Sequence, residues 1–182
     1  MKFIPQIIQD LILVQPDVFP DSRGYFFESY QQEKWSEAMG NIRFVQDNES
    51  KSSYGVLRGL HFQQGEMAQS KLIRVIKGRI WDVVVDLRID SPSYKSFVGV
   101  ALSDNNKHQL FIPKGFAHGF LTLSEEAIIS YKVDAYYSKE HDGGILYNDN
   151  DLGISWPMDA KDIIVSEKDA ALPLLKNVSL RW

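Results

Sequence analysis

His61, in VLRGLHFQ, is the side chain of this sequence whose type and setting best suit taking up a proton near neutral pH. Arg58 and Lys71 stand close to it in sequence. Cations beside an imidazole lower its pKa and preserve the neutral form that a general base requires. Such a base also needs its tautomer fixed, usually by a carboxylate on the other ring nitrogen. Asp169, in SEKDAALP, is a candidate for that partner. Tyr131, in IISYKVD, shares a strand face with Ile129 and Val133 and offers a phenol as a proton donor. Arg23, Arg58, Lys71 and Lys168 are four cations that together would neutralise a pyrophosphate. Each residue also has a plainer role. A histidine in a strand packs, Asp169 caps a helix, Tyr131 fills a core with its hydroxyl at the rim, and single cations face solvent.

His118 closes a P-x-G-x-x-H pattern in PKGFAH, with Pro113 and Gly115. The pattern resembles the second motif of the cupin jelly rolls. In metal-binding cupins this histidine joins an H-x-H pair and a glutamate from an earlier hairpin. No H-x-H occurs here, and the remaining histidines, His108 and His141, sit at unrelated spacings. Metal sites of zinc or iron type need three or four suitable protein ligands. The sequence therefore points to the barrel without a metal, and to no organic cofactor.

These residues need strands to hold them. Short apolar or alternating runs separated by turn residues predict strands at Tyr25–Tyr30, Ile42–Asp47, Val56–Phe62, Lys71–Lys77, Arg79–Leu87, Ser96–Leu102, Gln109–Ile112, Gly119–Leu123 and Ala127–Val133. Gly78 between two such runs predicts a tight hairpin. Helices are expected at Gln31–Met39 and Ser166–Ala171, the latter with Ser166 as N-cap and Asp169 at the capping-box position. Many short strands at close spacing make an all-β barrel or jelly roll. The run Ile80–Leu87 is apolar on both faces, so a second sheet or another subunit must cover it.

The 182 residues suit one domain spanning the whole chain, and a 44% hydrophobic, 24% charged composition argues against disorder. There is no cysteine, which excludes disulfides, thiolate metal sites and a cysteine nucleophile. In MKFIPQIIQDLILVQP the longest apolar run is Leu11 to Val14, too short for a signal core or a membrane span. A cytoplasmic protein is expected. The net charge of -4 and the lack of a dense Lys/Arg run argue against nucleic acid as a partner. An anionic ligand would need a local cluster of cations to overcome that sign.

Taken together, DSRGYFFESY, FVQDNESKS, VLRGLHFQ, QSKLIRVIKGRIWDVVVDLR, IPKGFAHGF, YYS, LGISWP and SEKDAALPLL resemble the dTDP-4-dehydrorhamnose 3,5-epimerase family, in order and over nearly the whole chain. The resemblance implies a cupin-type double-stranded β-helix, a homodimer, and a dTDP-linked 4-keto-6-deoxy sugar as substrate. By position it implies His61 as general base, Asp169 as its orienting partner, Tyr131 as the acid across the sugar and Lys71 at the enolate oxygen. It implies a sugar-nucleotide site lined by Arg23, Glu28, Gln46, Asp47, Asn48, Arg58, His118 and Lys168. Asp142, in KEHDGG, falls where family members often carry glutamate and is one methylene shorter. The chemistry suits the residues. A base alone cannot ionise a carbon beside a ketone, and a preorganised cation at the developing oxyanion supplies several kcal/mol of the difference.

One conflict in the sequence makes a structural demand. Side chains alternate along a strand, so Arg58 and His61 belong to opposite faces of Val56–Phe62. A common ligand needs both on one face. A bulge reverses the parity, and Gly59 lies between the two residues. A bulge or sharp bend is expected there.

Overall fold

Eight strands nested in pairs carry the architecture of the computed structural model, which describes residues 1–182. They are β5 (Gln46–Ser53), β6 (Val56–Gln63), β7 (Lys71–Lys77), β8 (Arg79–Asp86), β9 (Phe97–Ser103), β10 (Gln109–Ile112), β11 (Phe116–Thr122) and β12 (Glu126–Val133). β8 pairs with β9, β7 with β10, β6 with β11 and β5 with β12, all antiparallel. Further pairing of β7 with β12 and of β8 with β11 joins them into two facing sheets. This nested antiparallel order is a jelly roll, the expected all-β cupin-type fold.

Before these come β1 (Lys2–Pro5), β2 (Ile12–Gln15), the hairpin of β3 (Val18–Asp21) and β4 (Gly24–Phe27), and helix α1 (Gln32–Met39). After them come β13 (Asp142–Gly144), β14 (Ile164–Val165) and the single turn α2 (Glu167–Ala170). One sheet has six strands in the order β1-β2-β10-β7-β12-β5. The other has five, β13-β6-β11-β8-β9, with β14 beside β6. β1 and β2 were not expected from the sequence, because Pro5, Gln6, Gln9 and Asp10 interrupt the apolar pattern there, and β3, with Pro20 and Asp21 in its four residues, was not expected either.

Ile73, Val75, Ile80, Val84, Phe116, Phe120 and Ile129 fill the space between the sheets. Burial of each such side chain contributes about 1.5–3 kcal/mol. β8 is covered on both faces, but not by a partner. Its Val83 and Val85 pack beneath Leu152 and Leu175, with Trp156 and Leu180 against the same cluster, so the chain's own C-terminal segment seals that face. Gly78 makes no hairpin, because β7 and β8 lie in different sheets and the chain crosses between them at this glycine. Its φ of 84° favours glycine, and a Cβ would stand 2.1 Å from the Glu126 carbonyl oxygen. α1 is capped by Gln31, whose side chain accepts from the Lys34 amide, and its buried Trp35 packs on Leu72 and Phe111. The helix thereby covers the outer face of the six-stranded sheet.

Candidate active site

Gln46, Asn48, Ser50 and Ser52 all turn inward from β5, while Asp47, Glu49, Lys51 and Ser53 turn out to solvent. The strand expected at Ile42–Asp47 thus runs later, over Gln46–Ser53. Its alternation is polar inside and polar outside, so no hydrophobic period marks it. The inward polar residues face a cleft of about 480 Å³ between the two sheets, which Gln46, Asn48 and Ser50 line.

β6 forms the opposite wall. Its register with β11 pairs His61 with His118 and Arg58 with Phe120, so three steps on β6 match two on β11. This is the extra residue of a bulge, and it falls at Gly59, whose φ is 122°. A Cβ on Gly59 would stand 2.6 Å from Gly119 Cα and 2.8 Å from the His118 carbonyl oxygen. The bulge brings Arg58 and His61 to the same cleft. Ser52 holds Arg58 in place, its Oγ accepting from Nε at 2.9 Å.

His61 and Asp169 meet 108 positions apart in sequence, with Nε2 of the ring 2.7 Å from Asp169 Oδ1. A carboxylate only accepts, so Nε2 carries the proton and Nδ1 is left bare as the basic nitrogen. Ser166 caps α2 by accepting from the Asp169 amide at 3.1 Å, which fixes the backbone of the aspartate. Its side chain does not complete a capping box. Oδ1 holds His61, and Oδ2 accepts from the Gly59 amide at 3.2 Å, tying the bulge to the base. Burial lowers the His61 pKa from its ordinary 6.5, with Asp169 opposing and Lys71 and Lys168 adding to the fall. Burial, more than the neighbouring cations Lys71 and Lys168, therefore keeps the ring neutral.

Tyr131 enters the cleft from β12 of the six-stranded sheet, facing His61 on the five-stranded sheet. Burial raises its pKa, with Arg58 opposing, so the phenol keeps its proton. Lys71 heads β7 at the same cleft and donates to the His61 carbonyl oxygen at 3.3 Å. Burial pushes its pKa down to about 8 against the pull of Asp82 and Asp142. His118 lies on the floor, its Nε2 2.9 Å from Asp82 Oδ2. It is paired with a carboxylate, and no group of three or more His, Cys, Asp or Glu side chains is gathered as metal ligands.

The other expected site residues sit further out. Asp142 and Lys168 pair at 3.0 Å, and the Tyr137 hydroxyl donates to the same Asp142 oxygen at 3.5 Å. Of these three only Tyr137 lines the cleft. Three further expected residues fall outside it. Asp47 points away from the cleft and pairs with Lys132 at 2.8 Å, because it occupies an odd position on β5. Arg23, 88% exposed, bonds Asp21 at the tip of the β3–β4 hairpin. Glu28 follows that hairpin and pairs with Lys34 of α1 at 2.7 Å. Conversely Ser50, Gln69 and Tyr137 line the cleft without having been singled out. Ser50 was legible as the next even position after Gln46 and Asn48, and Tyr137 stood in the YYS segment. A wider groove of about 780 Å³ lies beside α1, bordered by Met39, Arg43, Arg88 and Lys114. It holds no histidine, and its Arg88 and Lys114 are already paired with Asp10 and Asp134.

A bare imidazole nitrogen, a protonated phenol facing it and a half-buried ammonium in the same cleft form a set for moving protons at carbon beside a carbonyl. Residues 5–177 match the family model described as dTDP-4-dehydrorhamnose 3,5-epimerase. The chain belongs to that family. It is 52% identical to the dTDP-4-dehydrorhamnose 3,5-epimerase of Salmonella typhimurium over 99% of this chain and 98% of that one. It is 51% identical to the enzyme of the same name from Methanothermobacter thermautotrophicus, over 92% and 91% of the two chains. A crystal structure of the Legionella pneumophila 3,5-epimerase in complex with dTDP-4-keto-L-rhamnose is similar with a TM-score of 0.95 and 44% identity, covering 100% of this chain and 98% of that one. The family's fold is the jelly roll described above.

Proposed function

We propose that this chain epimerises C3 and C5 of dTDP-4-dehydro-6-deoxy-D-glucose to give dTDP-4-dehydro-L-rhamnose, with its own side chains as acid and base. The observation that carries this is the placing of His61 and Tyr131 on opposite sheets across one cleft. A flat enolate between them is deprotonated on one face and reprotonated on the other, which inverts the centre. His61 Nδ1 takes the proton beside the 4-ketone. Lys71 stabilises the negative charge that develops on the ketone oxygen. Tyr131 then delivers a proton to the opposite face, and exchange with solvent resets both groups. Asp169 holds the His61 tautomer through the cycle. Gln46, Asn48, Arg58 and His118 bind the sugar nucleotide, with Lys168 and Asp142 at the mouth. No metal or organic cofactor takes part.

Incubation with dTDP-4-dehydro-6-deoxyglucose in D2O, read by NMR, tests this. Deuterium at both C3 and C5 is expected. Deuterium at one centre alone would make the chain a single-centre epimerase, and none at either would sink the assignment.

The positions of Arg23 and Glu28 support a homodimer as the working form. Both sit with a hairpin that exposes Phe19, Tyr25 and Phe26, the last at 69%. In a dimer this hairpin reaches the cleft of the partner subunit and brings both residues to the nucleotide. We read the whole chain as one catalytic unit working in the cytoplasm; no helix is long and apolar enough to cross a membrane.

A further inference from the structure

Asp82 is a carboxylate sealed inside the barrel. It points inward from β8, between Ile80 and Val84 of the core, and is 0% exposed. A buried carboxylate is costly unless it is paired, and removing a partner from a buried pair typically costs several kcal/mol. Only half of this one is paired. Oδ2 is 2.9 Å from His118 Nε2, while Oδ1 is buried and accepts no hydrogen bond from the protein. A fold that needed only packing at this position would be served by valine, as at the neighbouring inward position Val84. The carboxylate sits directly behind His118, which lines the cleft together with Lys71.

We propose that Asp82 is a positioning residue for the epimerisation, fixing the proton of His118 on Nε2 so that Nδ1 meets the ligand, and standing as buried counter-charge behind the Lys71 ammonium. The first half follows from acceptor chemistry. An ionised carboxylate takes a hydrogen bond only from a protonated nitrogen. The second follows from the surroundings of Lys71. Beside β7, β10 offers no titratable side chain and β12 offers Tyr131, whose phenol stays neutral. Across the cleft β6 supplies Arg58 and His61, and His61 is answered by Asp169 of α2. β11 supplies His118, and the inward face of β5 carries no charge. Lys168 of α2 and Asp142 of β13 are paired with each other at the mouth. Asp82 is the one anion of this set that lies in the interior with an oxygen to spare. Burial alone would neutralise Lys71 early, and Asp82 opposes it more strongly than Asp142 does.

This inference rests on the reading of the chain as an epimerase, and wild-type exchange in D2O tests that reading separately. Asp82→Asn keeps the shape and an acceptor for His118 while removing the charge. The alkaline limb of kcat/KM should move to lower pH by about one unit, as expected for loss of a nearby opposite charge, with a fall of about fivefold at pH 8 and an unchanged KM at pH 6.5. A folded Asp82→Asn enzyme with an unmoved alkaline limb would overturn the counter-charge. For the His118 half, wild-type protein labelled with 15N-histidine should show the proton of His118 on Nε2. A bare Nε2 would overturn it, and this measurement decides the proposal if Asp82→Asn fails to fold.

Discussion

At His61 two opposing demands meet on one ring. A general base must be neutral at working pH, and it must also be held so that one nitrogen faces carbon. Burial supplies the first and Asp169 the second, although the aspartate by itself pulls the pKa upward. His61→Asn should lower exchange at both C3 and C5 by about 10²–10⁴-fold, the usual share of a positioned general base, without unfolding the chain. Residual exchange above a hundredth of wild type at either carbon would mean that a different base serves it. Asp169→Asn should be nearly as severe, because it disturbs both the His61 tautomer and the Gly59 amide contact. The two cleft bases also set a bell-shaped pH profile. Activity is lost as pH falls through the His61 pKa, which lies below its ordinary 6.5, and lost again as pH rises through about 8, where Lys71 gives up its charge. A kcat/KM profile that stays flat to pH 10 would remove Lys71 from the role of oxyanion cation.

Among the elements, β5 and β6 show how far the sequence can be followed. The apolar strands β7 to β12 announce themselves because burial selects a visible pattern. β5 does not, since the side it buries lines a polar cleft, and the pattern Gln46, Asn48, Ser50, Ser52 carries function where a core strand carries valine. Residue types alone left Asp169 only a candidate partner for His61, and the family resemblance was needed to pair them, because the contact depends on the path of α2 over β6. β6 was legible through its contradiction: two residues wanted at one ligand, on the wrong parity, with a glycine between them. That glycine now has a sharper test. Gly59→Val places a branched side chain where Gly119 Cα and the His118 carbonyl oxygen already lie under 3 Å from a Cβ, at a φ that disfavours it. The strand must either straighten, sending Arg58 or His61 out of the cleft, or part from β11. Loss of more than about 90% of activity is expected, against little change for an exposed strand position such as Lys51→Val. Retention of wild-type turnover by Gly59→Val would show that the bulge is not needed.

For the whole molecule, the expectation of a dimer first drew on the two-sided burial of β8, and that support is gone, because the C-terminal segment covers the outer face. What remains is sharper. Arg23 and Glu28 lie outside the cleft of their own chain, on and after a hairpin whose aromatics face solvent. A two-fold dimer uses the same surface on both subunits, so a hairpin reaching the partner's cleft is answered by one reaching back. Each active site would then join His61 of one subunit to Arg23 of the other. Complementation separates this from a dimer with self-contained sites. Arg23→Ala and His61→Asn homodimers should each be impaired, the first mainly in KM and the second in kcat. After the two are unfolded together and refolded at equal amounts, half of the dimers are mixed. A mixed dimer places the intact hairpin of the His61→Asn subunit over the intact cleft of the Arg23→Ala subunit, which restores about a quarter of wild-type sites. A mixture no more active than the mean of its parents would confine each site to one chain. An Arg23→Ala protein with wild-type KM would take Arg23 out of the site altogether.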